Sequence, residues 1–478
     1  MKPNLTRAIF AVAGVLTLAA VAVAARTPAP QSDCSAHTTT PRSKATPVVQ
    51  TGNTVAMTAR LSHGKLLRST ESQTGALLLD LKALAKPPQE LAPVDLAIVI
   101  DRSGSMAEEG KMQSARRAAL ALIDELRPSD RVALISYSTH AHTDLHLTPA
   151  TPGSLNALKG AVRRLDADGG TNIFAALQRA HDLLHRRGDA SRVRRVILLS
   201  DGHPTAGYNQ TDKILDMAQR AHQDGISVTS IGLGSEFNAS LMTGIAKAGN
   251  GNYYYVKRGA SLVDTFAREF ETLATTVARD VSVAVNLRPG ISLAHLSGYE
   301  HTVRSDGAIL IPLGEFWADD SRSIMLDLNI DPSVAKVSDP ATVAEVSLAY
   351  RDLVQKRHQT YGASLSMGIT SRASAAQLSA DPEVALRAAQ LRTADVYTRA
   401  MDDYERGDTR AATALLRERR NELRDLSRGL SSDDLLRVEI ERTERLLRDI
   451  RRHAPSSRGH KDTVRDTRSH SYHLLRRR

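Results

Sequence analysis

Apolar residues recur along this chain with two different periods, and the changes of period mark out its parts. Val55, Met57, Ala59 and Leu61 alternate with other residues, and Leu77, Leu79 and Leu81 do so again. A period of two predicts strands with one buried face. Beyond residue 93 the pattern changes. Short apolar runs rich in Ile and Val (Leu96 to Ile100, Arg131 to Tyr137, Val196 to Leu199) alternate with helical spacing at Met112, Ala115, Ala119, Leu122 and Leu126, then at Ile173, Leu177, Ala180 and Leu184. Ala141 to Leu147 predicts a further strand after a short turn. Thr211 to Gln223 predicts a helix, Ile226 to Leu233 and Tyr253 to Val256 strands, and Ser261 to Val277 a closing helix. Repeated strand–helix units imply a mostly parallel, doubly wound sheet with helices on both faces.

Alternation then returns at Val281, Val283, Val285 and Leu287, at Ile324, Leu326, Leu328 and Ile330, and at Ala344, Val346, Leu348 and Tyr350. With the strands at 54–84 these predict a β-sandwich interrupted by the α/β unit, an insertion that works when the inserted domain's ends lie close together. Residues 381–452 have helical composition, with a Gly407-Asp408 break and a start signal at Ser431 to Asp434, so three helices are expected.

Composition adds little until its placement is considered. Of 478 residues 41% are hydrophobic and only 4% aromatic, so the cores must be built from Leu, Ile, Val and Ala. The formal net charge is +10, but residues 451–478 hold nine Lys/Arg against two Asp/Glu. The body is therefore close to neutral and gives no reason to expect a specific nucleic-acid partner. The tail lacks apolar periodicity and is expected to be disordered, with a possible contact to an anionic surface. Lys2 and Arg7, the apolar stretch from Ala8 to Ala25 and the Ala22-Val23-Ala24 pattern read as a secretory signal, with a retained membrane anchor as the alternative, and either implies export to a periplasm, cell envelope or extracellular space. No second stretch could span a bilayer, and the single Cys34 rules out an intramolecular disulfide. The expected layout is a signal peptide (1–25), a flexible linker rich in Pro, Thr and Ser (26–50), the first part of the sandwich (51–92), the α/β domain (93–277), the rest of the sandwich (278–370), a helical region (371–453) and a basic disordered tail (454–478).

Candidate chemistry lies where the first buried strand ends. Asp101-Arg102-Ser103-Gly104-Ser105 follows the run Leu96 to Ile100 directly. Open α/β sheets bind ligands at the carboxyl ends of their strands. The motif offers a carboxylate and two hydroxyls at alternating positions, and an all-oxygen set suits Mg²⁺, Mn²⁺ or Ca²⁺. D-x-S-x-S after a buried strand resembles the metal-ion-dependent adhesion site (MIDAS) of von Willebrand factor type A (VWA) domains. That family adds a Thr and an Asp from two later loops, and Thr171 in DGGTNI and Asp201 in VILLSDG stand in matching settings.

The resemblance covers roughly residues 93–277 and implies the Rossmann-like VWA fold. It also implies a site in which Ser103, Ser105 and Thr171 ligate Mg²⁺ directly, while Asp101 and Asp201 act through bound water. An Asp or Glu carboxylate from a protein partner would complete the coordination. The sandwich-interrupted layout is similar to secreted bacterial proteins of the inter-α-trypsin inhibitor heavy chain or calcium-activated chloride channel-like type.

The expected function is non-enzymatic, metal-dependent protein binding of an adhesion or scaffold type. A scaffold whose metal only orders loops is one alternative. A metal-dependent hydrolase is another, with Ser103 as nucleophile and His203 or His140 as base. Haloacid dehalogenase-type chemistry would need a second acid where Ser103 stands. His140 and His142 could share a strand face as metal ligands, although a solvated edge strand explains them as well. Glu108 and Glu109 read as rim or helix-start charges, and Trp317 in GEFWADD as a surface contact or, more commonly, a buried aromatic at a strand end.

Overall fold

A computed structural model describes residues 48–50, 53–85, 92–189, 191–234, 236–336, 339–429, 434–454 and 456–476. The signal segment, most of the linker and Cys34 lie outside the described residues. Among the described residues no helix is long and apolar enough to cross a membrane.

The chain begins the sandwich with β1 (Val48–Gln50), β2 (Val55–Leu61), β3 (Lys65–Leu67) and β4 (Gln73–Ala83). It then enters the α/β domain through β5 (Val94–Asp101), α1 (Lys111–Asp124), β6 (Arg131–Tyr137), β7 (Ala141–Pro149), α2 (Pro152–Arg163) and α3 (Ile173–Arg187). The domain is completed by β8 (Val193–Ser200), α4 (Thr211–Gln223), β9 (Ser227–Leu233), α5 (Ala239–Ala248), β10 (Asn250–Val256) and α6 (Leu262–Ala274). The sheet order is β10-β9-β8-β5-β6-β7, parallel throughout except for β7. Every position of β5 and of β8 is buried. Alternate residues of β5 explain why: Leu96, Ile98 and Ile100 join one core, and Ala97 and Val99 join the core on the opposite face. A strand covered on both faces has no use for polar alternation.

The edge strand β7 is the exception. His142, Asp144 and His146 all point to solvent, and His140 is exposed in the preceding turn. A polar, charged edge of this kind resists pairing with a second sheet. It accounts for the two histidines without a metal.

The sandwich resumes with β11 (Thr276–Leu287), β12 (Ile291–Leu296), β13 (Thr302–Val303), β14 (Ile309–Trp317), β15 (Ser321–Ile330), β16 (Ala341–Asp352) and β17 (Arg357–Thr370). One sheet has the order β1-β2-β4-β15-β12 and the other β13-β14-β11-β16-β17-β3. Leu77 and Leu79 of β4 pair with Leu326 and Ile324 of β15, and these residues share one core with Val281, Val283 and Val285 of β11. Val48–Gln50, read above as the end of a flexible linker, pairs antiparallel with β2. Trp317 is half-buried at the end of β14, beneath the Arg322 guanidinium.

Among the described residues five helices follow: α7 (Ala373–Leu378), α8 (Pro382–Glu405), α9 (Thr409–Gly429), α10 (Asp434–Arg452) and α11 (Arg458–Arg476). The start of α8 is fixed by Asp381, whose carboxylate accepts from the Glu383 and Val384 amides, with Pro382 in the first turn. Val384, Ala388 and Leu391 of this helix cover Ala76, Leu78 and Met325 on the outer face of the first sandwich sheet.

The C-terminal tail is not disordered: residues 458–476 form α11. Composition misled because this helix is buried through polar side chains and the stems of arginines. Arg465, Arg468 and Arg476 are all buried. Arg468 is paired with Asp402 and Glu405, and Arg476 donates to Asn250 Oδ1 and stacks over Tyr299. These three cations serve internal contacts and are not available to an anionic surface, whereas Arg451, Arg452 and Arg458 are exposed.

The same helix closes the other edge of the α/β sheet. Tyr472 meets Tyr253 edge-on, 5.8 Å between ring centres, and its hydroxyl donates to the Gly251 carbonyl of β10. Tyr472→Ala is expected to lower stability by about 3–5 kcal/mol, the usual loss for truncating a buried aromatic. Denaturant unfolding measures the loss, and faster hydrogen exchange at the β10 amides locates it.

Candidate functional site

Strand β5 delivers Asp101 to the top of the sheet with its side chain fully buried. Three loops are then sewn together by backbone bonds. The Arg102 amide donates to the Tyr137 carbonyl (2.8 Å), and the Gly104 amide to Gly169 (2.9 Å). The Asp168 amide donates back to Arg102 (2.6 Å). Gly169 has φ +78°, and a Cβ there would stand 2.9 Å from Thr139 Oγ1, so the turn that carries Thr171 requires glycine.

The polar side chains form one chain of contacts. Asp101 Oδ1 accepts from the Ser103 amide (2.8 Å), and its Oδ2 from Ser200 Oγ (2.8 Å). Ser103 Oγ lies 3.2 Å from Ser105 Oγ, and Ser105 Oγ donates to Asp201 Oδ1 (2.7 Å). The other Asp201 oxygen accepts from Lys111 Nζ (2.8 Å), an ion pair almost wholly out of solvent. Thr171 is held by its backbone: its amide donates to Thr205 Oγ1 (2.9 Å), and its carbonyl accepts from the Thr205 and Ala206 amides. A Cβ on Gly202 would stand 3.5 Å from Ser105 Oγ and 3.7 Å from Thr171 Oγ1. The glycine therefore leaves open the space onto which hydroxyls from two separate loops converge.

All five residues singled out in the sequence meet at this point. Burial pushes the Asp101 carboxyl up to about 6, with nearby Asp201 adding to the rise, against hydrogen bonds from Ser103 and Ser200 that favour the charge. With both acids ionised, two buried carboxylates face one buried ammonium, and one negative charge is left in excess. Such a set of oxygen donors fits a hard divalent cation.

Sequence reasoning missed Lys111, Ser200 and Thr205. Lys111 had a readable signal, since a lysine on the first turn after the motif can fold back over it. Ser200 and Thr205 had none, because their roles depend on how the loops are packed. For the hydrolase alternative, Ser103 Oγ contacts Ser105, and among the described residues it has no hydrogen bond to His203 or His140. His203 is exposed on the loop after Asp201, and desolvation together with Arg465 and Lys461 of α11 holds it below the ordinary imidazole range. Glu108 and Glu109 are exposed beside the motif.

Residues 95–268 match the von Willebrand factor type A domain. This part of the chain is a VWA domain. The chain is 29% identical over 231 residues to the uncharacterised YfbK protein of Escherichia coli, covering 48% of this chain and 40% of that one. It is 32% identical over 160 residues to inter-alpha-trypsin inhibitor heavy chain H4 of Homo sapiens, covering 32% of this chain and 17% of the relative. The chain thus spans less than two thirds of the length of the curated relatives it matches. Among solved structures, a von Willebrand factor type A protein from Catenulispora acidiphila superimposes with a TM-score of 0.69 at 19% identity, covering 86% of this chain and 95% of that one. That similarity extends the shared fold beyond the VWA domain to the sandwich and helices.

Proposed function

We propose that this chain is an exported binding protein that captures a carboxylate of a protein partner through Mg²⁺ held at the top of its VWA domain. The observation that carries this reading is the convergence of the Ser105 and Thr171 hydroxyls on the space beside Gly202, with Ser103 and Asp201 in contact with Ser105 and Asp101 bonded to the Ser103 amide. Mg²⁺, when bound, supplies a positive centre that neutral hydroxyl ligands leave largely uncompensated, and so one that attracts an acidic side chain. Ser103, Ser105 and Thr171 present the hydroxyls. Asp201 orients the Ser105 hydroxyl by accepting its hydrogen bond, Asp101 holds the loop through the Ser103 amide, and Lys111 fixes Asp201. Mn²⁺ or Ca²⁺ could take the same place. The expected role is non-enzymatic, because the site offers ligands and orientation without an activated nucleophile.

Recognition would extend to the rim. Tyr208, on the loop that follows Asp201, is 59% exposed and packs edge-on against Phe174, 4.9 Å between ring centres. A rigid exposed aromatic beside a charged centre is a favourable anchor for a partner. Capture of envelope proteins by the full chain is expected in Mg²⁺ and not in EDTA, with weaker retention by Tyr208→Ala. Equal retention with and without metal would move the binding function away from this site and support a scaffold role.

A further inference from the structure

We propose that His181, His185 and Asp224 form a second metal site, selective for Zn²⁺, at the opposite end of α3 from Thr171. His181 and His185 are four residues apart on α3 and so share a face. Their rings stack with centres 5.3 Å apart, 19° from parallel. Asp224 is the C-terminal cap of the neighbouring α4 and projects into the same space. Its Oδ2 lies 2.7 Å from His181 Nε2 and 3.4 Å from His185 Nδ1. One ligand atom from each residue lies within 4.8 Å of the other two. Ligands of a tetrahedral zinc with bonds of about 2.0–2.2 Å stand roughly 3.3–3.5 Å apart, so small rotamer changes suffice to admit the ion.

Three independent features favour a cation here. The last turn of α3 and the end of α4 both present helix C-termini, whose carbonyls carry partial negative charge. A carboxylate at the C-terminal cap of α4 is unfavourable by that same rule, and a bound cation would reverse the penalty. Asp182 Oδ1 lies 3.6 Å from His181 Nδ1, on the side of the ring away from the site. A carboxylate behind a ligating imidazole orients the ring and strengthens it as a donor. Finally, the His185 and Asp224 side chains are 52% and 34% exposed, which gives an ion a route in and leaves a position for water or an outside ligand.

The donor set distinguishes this site from the first. Two imidazoles and one carboxylate suit zinc, whereas five side-chain oxygens suit Mg²⁺. The proposal does not depend on the adhesion-type reading, and either can fail alone.

The test is calorimetric titration of Zn²⁺ into the untagged full chain near neutral pH, with Mg²⁺ in excess. One equivalent should bind, and His185→Ala and Asp224→Asn should each weaken it at least about tenfold, in line with losses seen when supporting groups of metal sites are removed. His185 is exposed, so its replacement should leave the fold intact, and circular dichroism checks this. Ser103→Ala and His142→Ala should bind zinc as the unmodified chain does. Absence of zinc binding would overturn the assignment. So would binding that survives His185→Ala, that excess Mg²⁺ displaces, or that His142→Ala removes instead.

Discussion

Ser103→Ala is expected to lower Mg²⁺ affinity at least about tenfold and to abolish metal-dependent capture of the partner while leaving the protein folded. The two effects separate because the residue does two jobs through different atoms. Its amide, which the substitution retains, donates to Asp101 Oδ1 and holds the loop. Its hydroxyl lies 3.2 Å from Ser105 Oγ, and its loss should cost the fold about 1 kcal/mol. Asp201→Ala would be a poorer test, since it strands the buried ammonium of Lys111. Mg²⁺ titration of the Ser103 variant beside its unfolding curve gives both numbers. Unchanged Mg²⁺ affinity would remove Ser103 from the site.

Arg195→Met is expected to cost about 3–5 kcal/mol, because it leaves acids buried without their countercharge. Arg195 sits on β8, 3% exposed, and reaches Glu269 of α6 and Glu315 of β14. Burial opposes its charge, but Glu315 and Glu269 more than offset this and raise its pKa. Glu269 is fully buried and also accepts from Asn252 Nδ2 (2.6 Å) and the Tyr254 hydroxyl (3.0 Å). The cluster joins the VWA sheet, its last helix and the sandwich, so its loss should loosen the junction between the two domains. The double variant Arg195→Met/Glu269→Gln should recover part of the loss, which a double-mutant cycle in denaturant would show. A single variant as stable as the parent would mean that the cluster contributes nothing net.

The sequence was most legible where one physical pressure acted alone. Strand β5 could be read because burial on both faces leaves its run Leu96 to Ile100 wholly apolar, and β2 and β4 because one buried face enforces alternation. The site was legible for a related reason: short loops after buried strands hold its oxygens near the strand ends. Elements under mixed pressures were lost. Strand β14 contains Pro312 and a Gly314 with φ +72°, both of which weaken a strand reading. Helix α2 carries a Thr151-Pro152 start but buries only Leu158, Ala161 and Val162. In α11 the buried face is largely arginine, serine, threonine and tyrosine, and several of its partners, those of Tyr472 and Arg476 among them, lie more than two hundred residues away in the chain.

That last helix also sets an order of events during synthesis. The VWA domain is complete in sequence at about residue 274, yet the open side of β10 is covered by residues made roughly two hundred positions later. Until Tyr472 has left the ribosome, the nascent chain presents an unprotected strand edge, the kind of surface on which growing chains pair with one another. A product cut short before α11 would keep the loops around Asp101 and lose its edge cover, so it should aggregate.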